Sequence, residues 1–104
     1  MQIQVNTDKN IAGSEDLQKQ VEGVVEGHLS RFGDRITRVE VHLNDVNGDK
    51  PGDGDNRCVM EARLAGMQPI TATHQADTLE QALDGAARKL QRLLDTTLEK
   101  SRGY

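Results

Sequence analysis

The sequence predicts an α+β domain in the order β-α-β-β-β-α: a four-stranded mixed sheet with two helices on one face. Three observations carry that expectation. Four short segments alternate apolar and polar residues, two longer ones repeat apolar residues three and four apart, and Gly, Pro or capping residues punctuate the junctions. A chain of 104 residues can bury one core of this kind and no second, so residues 1–104 read as a single domain. With one Phe, one Tyr and no Trp, that core must be aliphatic.

The first strand is "QIQVN" (2–6), with Ile3 and Val5 on one side and Gln2 and Gln4 on the other. Ser14 then stands as an N-cap, with Glu15 and Asp16 in the first turn, where the helix dipole favours acids. Leu17, Val21, Val24, His28 and Phe32 recur at helical spacing, and Gly33 fits the position just past the helix end. In "RITRVEVHLND" (35–45), Val39, Val41 and Leu43 point inward and Arg38, Glu40 and His42 outward. "RCVMEARLAG" (57–66) does the same, with Cys58, Met60, Ala62 and Leu64 inward and Glu61 and Arg63 outward. "GMQP" makes a turn into "ITATHQA" (70–76), a fourth strand with a weaker pattern. "DTLE" (77–80) reads as a capping box in which Asp77 caps and Glu80 reaches back. Leu79, Leu83, Ala86, Leu90, Leu93 and Leu94 follow on one face of a helix that ends near Lys100, leaving 101–104 as a tail.

The last three strands suit an antiparallel meander. The first helix supplies the crossover that strands one and two need if they run parallel. Each helix has one apolar stripe, so both are expected on the apolar face of the sheet. The other face, with Gln2, Gln4, Arg38, Glu40, His42, Glu61 and Arg63, is polar and half-solvated.

The formal charge of −4 is concentrated in one place. Asp45, Asp49, Asp53 and Asp55 stand against Lys50 within residues 45–56, and the rest of the chain is close to neutral. That segment tests poorly as an ion site. Asp45, Asn47 and Asp49 match the first ligands of an EF-hand loop, but Lys50 occupies its glycine position and Asn56 its bidentate glutamate. Four carboxylates repel phosphate, and no Gly-Lys-Ser/Thr follows. A solvated connection between strands is the expectation, with no metal and no cofactor.

Catalytic constellations are also absent from the pattern. Ser14 is explained as a cap, and Cys58 faces inward on a strand. His28 lies in an apolar helical stripe, and His42 and His74 have no partner at ligand spacing. An enzyme is not expected. A lone cysteine, no apolar run of membrane-spanning length and no signal-peptide core at the start point to a soluble cytoplasmic protein.

The last helix carries the functional signal. In "LDGAARKLQRLL" (83–94) the leucines turn to the sheet, Arg88 and Arg92 project away one turn apart, and Lys89 lies on the flank that Lys100 shares. Asp84, Asp95 and Glu80 lie on the opposite flank. Periodicity leaves two readings open. Arg88 pairs with Asp84 at i,i+4 on a merely solvated face, or the cations meet phosphates.

Three stretches, "MQIQV", "FGDRITRVEV" (32–41) and "LDGAARKLQRLL", agree in order and spacing with a known pattern. The chain resembles the short form of the ribosome hibernation-promoting factor and ribosome-associated translation inhibitor family, also called sigma-54 modulation proteins, over nearly its full length. The resemblance implies a fold like that of double-stranded-RNA-binding domains. It further implies binding to rRNA in the small ribosomal subunit's decoding channel, with inhibition of translation by occlusion during stress or stationary phase. By the same resemblance Lys89 and Arg92 match the basic residues of the family's last helix, and Arg35 the arginine before strand two. Arg88 and Lys100 join them on geometry, and Arg38 and Arg63 on the open sheet face are further candidates. The ribosome is then the partner, with no membrane and no small-molecule substrate. The chain ends without the extra domain by which the family's long form drives ribosome dimerisation, so any such role is expected to need another factor.

The sequence departs from the family where phosphates would be met. The last helix ends in "LDTTLEKSRGY" with Asp95 and Glu99 in place of a lysine-rich run, Glu80 replaces an early aromatic, and the first helix shows Glu15, Glu22 and Glu26 outward against Lys19. Gly23 and Gly27 also lie one turn apart on that helix, each costing up to roughly 1 kcal/mol relative to Ala. These departures define the alternative: a protein-interaction module on the same fold, with little rRNA affinity, using its acidic loop to meet a basic partner.

Overall fold

A computed structural model describes residues 1–8, 11, 13–46 and 56–101, without the side chains of residues 100 and 101. The elements are β1 (Gln2–Thr7), α1 (Glu15–Leu29), β2 (Ile36–Asp45), β3 (Asn56–Leu64), β4 (Ile70–Ala76) and α2 (Leu79–Ser101), with a 3-10 turn over Ser30–Arg35 between α1 and β2. Most of the acidic connection, residues 47–55, and the tail at 102–104 lie outside the described residues.

One sheet runs in the order β1-β2-β3-β4. β1 is parallel to β2, with Ile3 beside Val39 and Val5 beside Val41, and α1 makes the crossover. β2, β3 and β4 form the antiparallel meander. Register sets Val39 against Ala62, Val41 against Met60 and Leu43 against Cys58, all of them buried on the helical side. Alternation alone would turn Ile36 to the opposite face from Val39. A register shift between Ile36 and Arg38 rotates the strand start, and Ile36 is buried with the others. The Asp45 N–H donates to the Asp8 carboxylate at 2.8 Å, and the Asn56 amide donates to the Asp77 carbonyl at 3.0 Å.

α1 begins as expected, the Ser14 hydroxyl accepting the Leu17 N–H at 3.1 Å. Its buried stripe, however, is Leu17, Val21, Val25 and Leu29, whereas spacing had pointed through Val24 and His28. Both series satisfy helical geometry. The helix rolls to the one that buries a leucine instead of an imidazole, leaving Val24 and Phe32 only partly buried. The helix also stops earlier than expected, at Leu29, and Gly33 serves the following turn with φ +56°, a left-handed conformation that glycine adopts without strain.

α2 starts one residue later than expected. Thr78, not Asp77, is the cap: its hydroxyl accepts the Gln81 N–H at 3.1 Å, in the Ser/Thr-x-x-Glu/Gln frame that Thr78 and Gln81 define. The helix then buries Ala82, Leu83, Ala86, Ala87, Leu90, Leu94 and Leu98 against β3, β4 and α1. Leu93, expected on that stripe, is 44% exposed, and Leu90 and Leu94 take the buried positions of that turn. The small residues let α2 lie close to the sheet. At Gly85 a side chain would meet the His74 ring, a Cβ there falling 2.1 Å from its nearest carbon.

Cys58 is fully buried, and burial pushes its thiol up to about 12, so it is no thiolate nucleophile at neutral pH. No described helix is long and apolar enough to cross a membrane.

Candidate nucleic-acid interface

Burial of Leu83, Leu90 and Leu94 fixes the roll of α2 and turns Arg88, Lys89 and Arg92 to solvent. The three cations are not equivalent. Arg88 donates to Asp84 Oδ2 at 3.0 Å, so its charge is offset in place. Lys89 reaches around the sheet edge and its ammonium donates to the Thr73 carbonyl of β4 at 3.1 Å. That bond covers an edge carbonyl but leaves the positive charge without a counterion. Arg92 is exposed and has no polar partner among the described residues. Among the described side chains, Lys89 and Arg92 are therefore the uncompensated cations of the helix surface. Lys100 lies in α2, but its side chain is outside the described residues.

Asp84 also faces α1. His28 Nε2 lies 3.1 Å from Asp84 Oδ1, and His28 Nδ1 lies 3.0 Å from Gln91 Oε1. His28 is satisfied in the seam between the helices and does not enter the core, with 24% of its side chain exposed.

Arg35 is exposed at the end of the 3-10 turn and lines an open cleft of about 680 Å³ with Arg31, Phe32, Asp95, Leu98 and Glu99. Arg31 stacks on Phe32, its guanidinium carbon 4.9 Å from the ring centroid, and pairs with Asp95 of α2. The sequence reading missed Arg31. Its partner is 64 residues away, beyond any helical or strand period, and adjacency to Phe32 was the one local signal.

Arg38 and Arg63 occupy the reverse face of the sheet. Register sets Arg38 opposite Arg63 and Glu40 opposite Glu61, so like charges face each other and the favourable contacts run along and across the strands. Arg63 Nε lies 3.0 Å from Glu40 and 3.3 Å from Glu61, and Arg38 lies 3.1 Å from Glu40. The six predicted cations whose side chains are described thus do not share one surface. Lys89 and Arg92 stand together on α2, Arg88 beside them is paired, Arg35 lies in the cleft, and Arg38 and Arg63 are paired on the far side.

Desolvation pulls the Glu40 carboxyl upward, but hydrogen bonds and charge from Arg63 and Arg38 outweigh it and hold the group below its ordinary 4.5. A depressed folded value stabilises the fold above the ordinary carboxylate range, and that contribution is lost as pH falls through the folded value. Glu40→Gln is therefore expected to lower the urea midpoint at pH 7. The gap from wild type should close as the pH drops below 4.5. A gap that stays constant to pH 3 would show that the Arg38–Glu40–Arg63 cluster does not couple to folding.

On α1, Glu15, Asp16 and Glu26 are exposed with Lys19, and open space surrounds Gly23 and Gly27. Among the described residues no three His, Cys, Asp or Glu side chains group in a way that would hold a metal ion.

The family model described as sigma 54 modulation protein / S30EA ribosomal protein matches residues 3–102. Among solved structures, a ribosomal subunit interface protein from Coxiella burnetii is similar, with a TM-score of 0.76 at 18% identity, covering 96% of this chain and 100% of that one. The N-terminal domain of Protein Y from Thermus thermophilus has a TM-score of 0.74 at 18% identity, covering 93% of this chain and 99% of that one. At such identity the likeness is one of fold. No curated protein matches the chain in sequence.

Proposed function

The chain belongs to the sigma 54 modulation protein / S30EA ribosomal protein family, a family of ribosome-associated factors, and on that premise we propose that it binds rRNA of the small subunit through the exposed side of α2. It occupies the decoding channel in the cytoplasm and inhibits translation there by occlusion, without catalysis, when growth is arrested. The observation that carries the surface assignment is the uncompensated pair Lys89 and Arg92, held outward by the buried leucines of α2. Arg35, at the end of the 3-10 turn, supplies a third free cation.

This reading carries a quantitative signature. Phosphate contacts release counterions, and each steepens the fall of binding with salt. Three contacts give roughly a 20- to 40-fold loss of affinity between 50 and 200 mM salt. Sucrose-gradient profiles of stationary-phase lysate, probed for this protein across that range, are expected to show it with ribosomal particles at low salt and at the top of the gradient at high salt. Sedimentation that does not respond to salt would refute recognition through phosphates.

A further inference from the structure

The cleft between the 3-10 turn and the end of α2 offers more than positive charge. We propose that it binds a single guanine nucleotide, the base stacked on Arg31 and its phosphate held by Arg35. This extends the RNA-binding reading to one base, and rests on it only for the expectation that the guanosine comes from RNA.

The stacking surface is already assembled. The Arg31 guanidinium carbon stands over the Phe32 ring, 4.9 Å from its centroid, and one guanidinium nitrogen pairs with Asp95. The Arg31 side chain remains 54% exposed, so a planar ligand can reach it from solvent. A base stacks well on a guanidinium plane backed by an aromatic ring, and one fixed before binding loses little freedom when the base arrives. Phe32 is the only Phe, Tyr or Trp among the described residues, and it stands in this cleft and not in the core centre.

Two charged groups on the cleft walls have no polar partner among the described residues: Arg35 and Glu99. Asp95 is engaged by Arg31, and Glu99 follows it by one helical turn. A free carboxylate beside a stacking platform selects among bases, because it only accepts hydrogen bonds. Guanine alone presents two adjacent donors, N1–H and N2–H, on its pairing edge. Adenine places the N1 lone pair there, cytosine its N3 lone pair, and uracil a single N–H between two carbonyls. The unpaired cation on the opposite wall, Arg35, suits the phosphate.

The test is a titration of the isolated protein, followed by amide NMR shifts, with GMP, AMP and inorganic phosphate, and with single-stranded RNA pentamers holding one G or one A at the centre. GMP is expected to move the resonances of residues 31–35 and 95–99 and to bind about tenfold or more tightly than AMP. Glu99→Gln should bring that preference to about twofold or less, while Arg35→Gln weakens GMP and AMP alike. Both residues are exposed, so the variants are expected to melt like wild type. Phe32→Leu keeps apolar bulk and should weaken every nucleotide while leaving the guanine preference in place. The G pentamer binding more tightly than GMP identifies RNA as the source, and the reverse identifies the free nucleotide. Equal binding of GMP and AMP by wild type, or a guanine preference that survives Glu99→Gln, overturns the proposal. Wild-type protein that sediments with ribosomes yet ignores GMP sinks this site alone. Protein that binds GMP selectively yet does not sediment sinks the ribosome reading alone.

Discussion

The double variant Lys89→Glu/Arg92→Glu is expected to lose co-sedimentation with ribosomes at salt concentrations where wild type is retained. Of Arg88, Lys89 and Arg92 on the outer side of α2, the last two have no carboxylate partner among the described residues, so each has its full charge to give to a phosphate. Removing two phosphate contacts flattens the plot of log affinity against log salt by roughly 1.4 to 1.8 and, with the added repulsion, lowers affinity on the order of a hundredfold or more. Arg88→Gln makes the informative control. Its guanidinium is already offset by Asp84 at 3.0 Å, so sedimentation should shift by no more than about threefold. Arg63→Gln, on the reverse face and paired with Glu40 and Glu61, should not shift it at all. If the double variant travels with ribosomes as wild type does, the α2 assignment is wrong, whatever the role of the fold. If Arg88→Gln abolishes binding, the ion pair with Asp84 must open on contact with RNA.

How much of this was legible in the sequence depends on the range of the interaction involved. The strand faces of β2 and β3 were readable because alternation at period two reports burial directly, and Val39, Val41, Leu43, Cys58, Met60 and Ala62 are buried as that pattern requires. Where two periodic series competed, as with Val24 and His28 against Val25 and Leu29, local spacing could not choose. Burial of Leu29 decides between them, and Gln91 and Asp84 of the facing helix receive the imidazole at the seam. The site divides in the same way. Lys89 and Arg92 were visible as outward positions of an amphipathic helix. The pairing of Arg38 and Arg63 with Glu40 and Glu61 needed the β2–β3 register, and the Arg31–Asp95 contact needed the packing of α1 on α2. A count of cations therefore overstates the available charge, and only tertiary contacts separate Arg92 from Arg88.

Gly85 carries the largest stability prediction, and its sign depends on a single neighbour. In an exposed helix interior, alanine is better than glycine by about 1 kcal/mol, so propensity alone favours Gly85→Ala. Here the added Cβ falls 2.1 Å from His74 Cδ2 and 2.5 Å from His74 Cγ. Because Cγ is the atom that joins the ring to its stem, a rotation of the ring about its own axis leaves that clash in place. The imidazole must swing to another rotamer or α2 must lift from β4, and overpacking of this kind costs about 1–3 kcal/mol. Gly85→Ala is accordingly expected to lower the melting temperature by several degrees, on the scale of about 4–8 °C per kcal/mol for a domain of this size. With the ring removed, the balance reverses. In a His74→Ala background, Gly85→Ala should stabilise the fold by about 1 kcal/mol, because only the propensity difference remains. A double-mutant cycle by urea unfolding measures the coupling between the two positions. A coupling near zero would mean that β4 and α2 do not approach at Gly85, and the close packing of the helix on the sheet edge, which also brings Lys89 to the Thr73 carbonyl, would have to be redrawn.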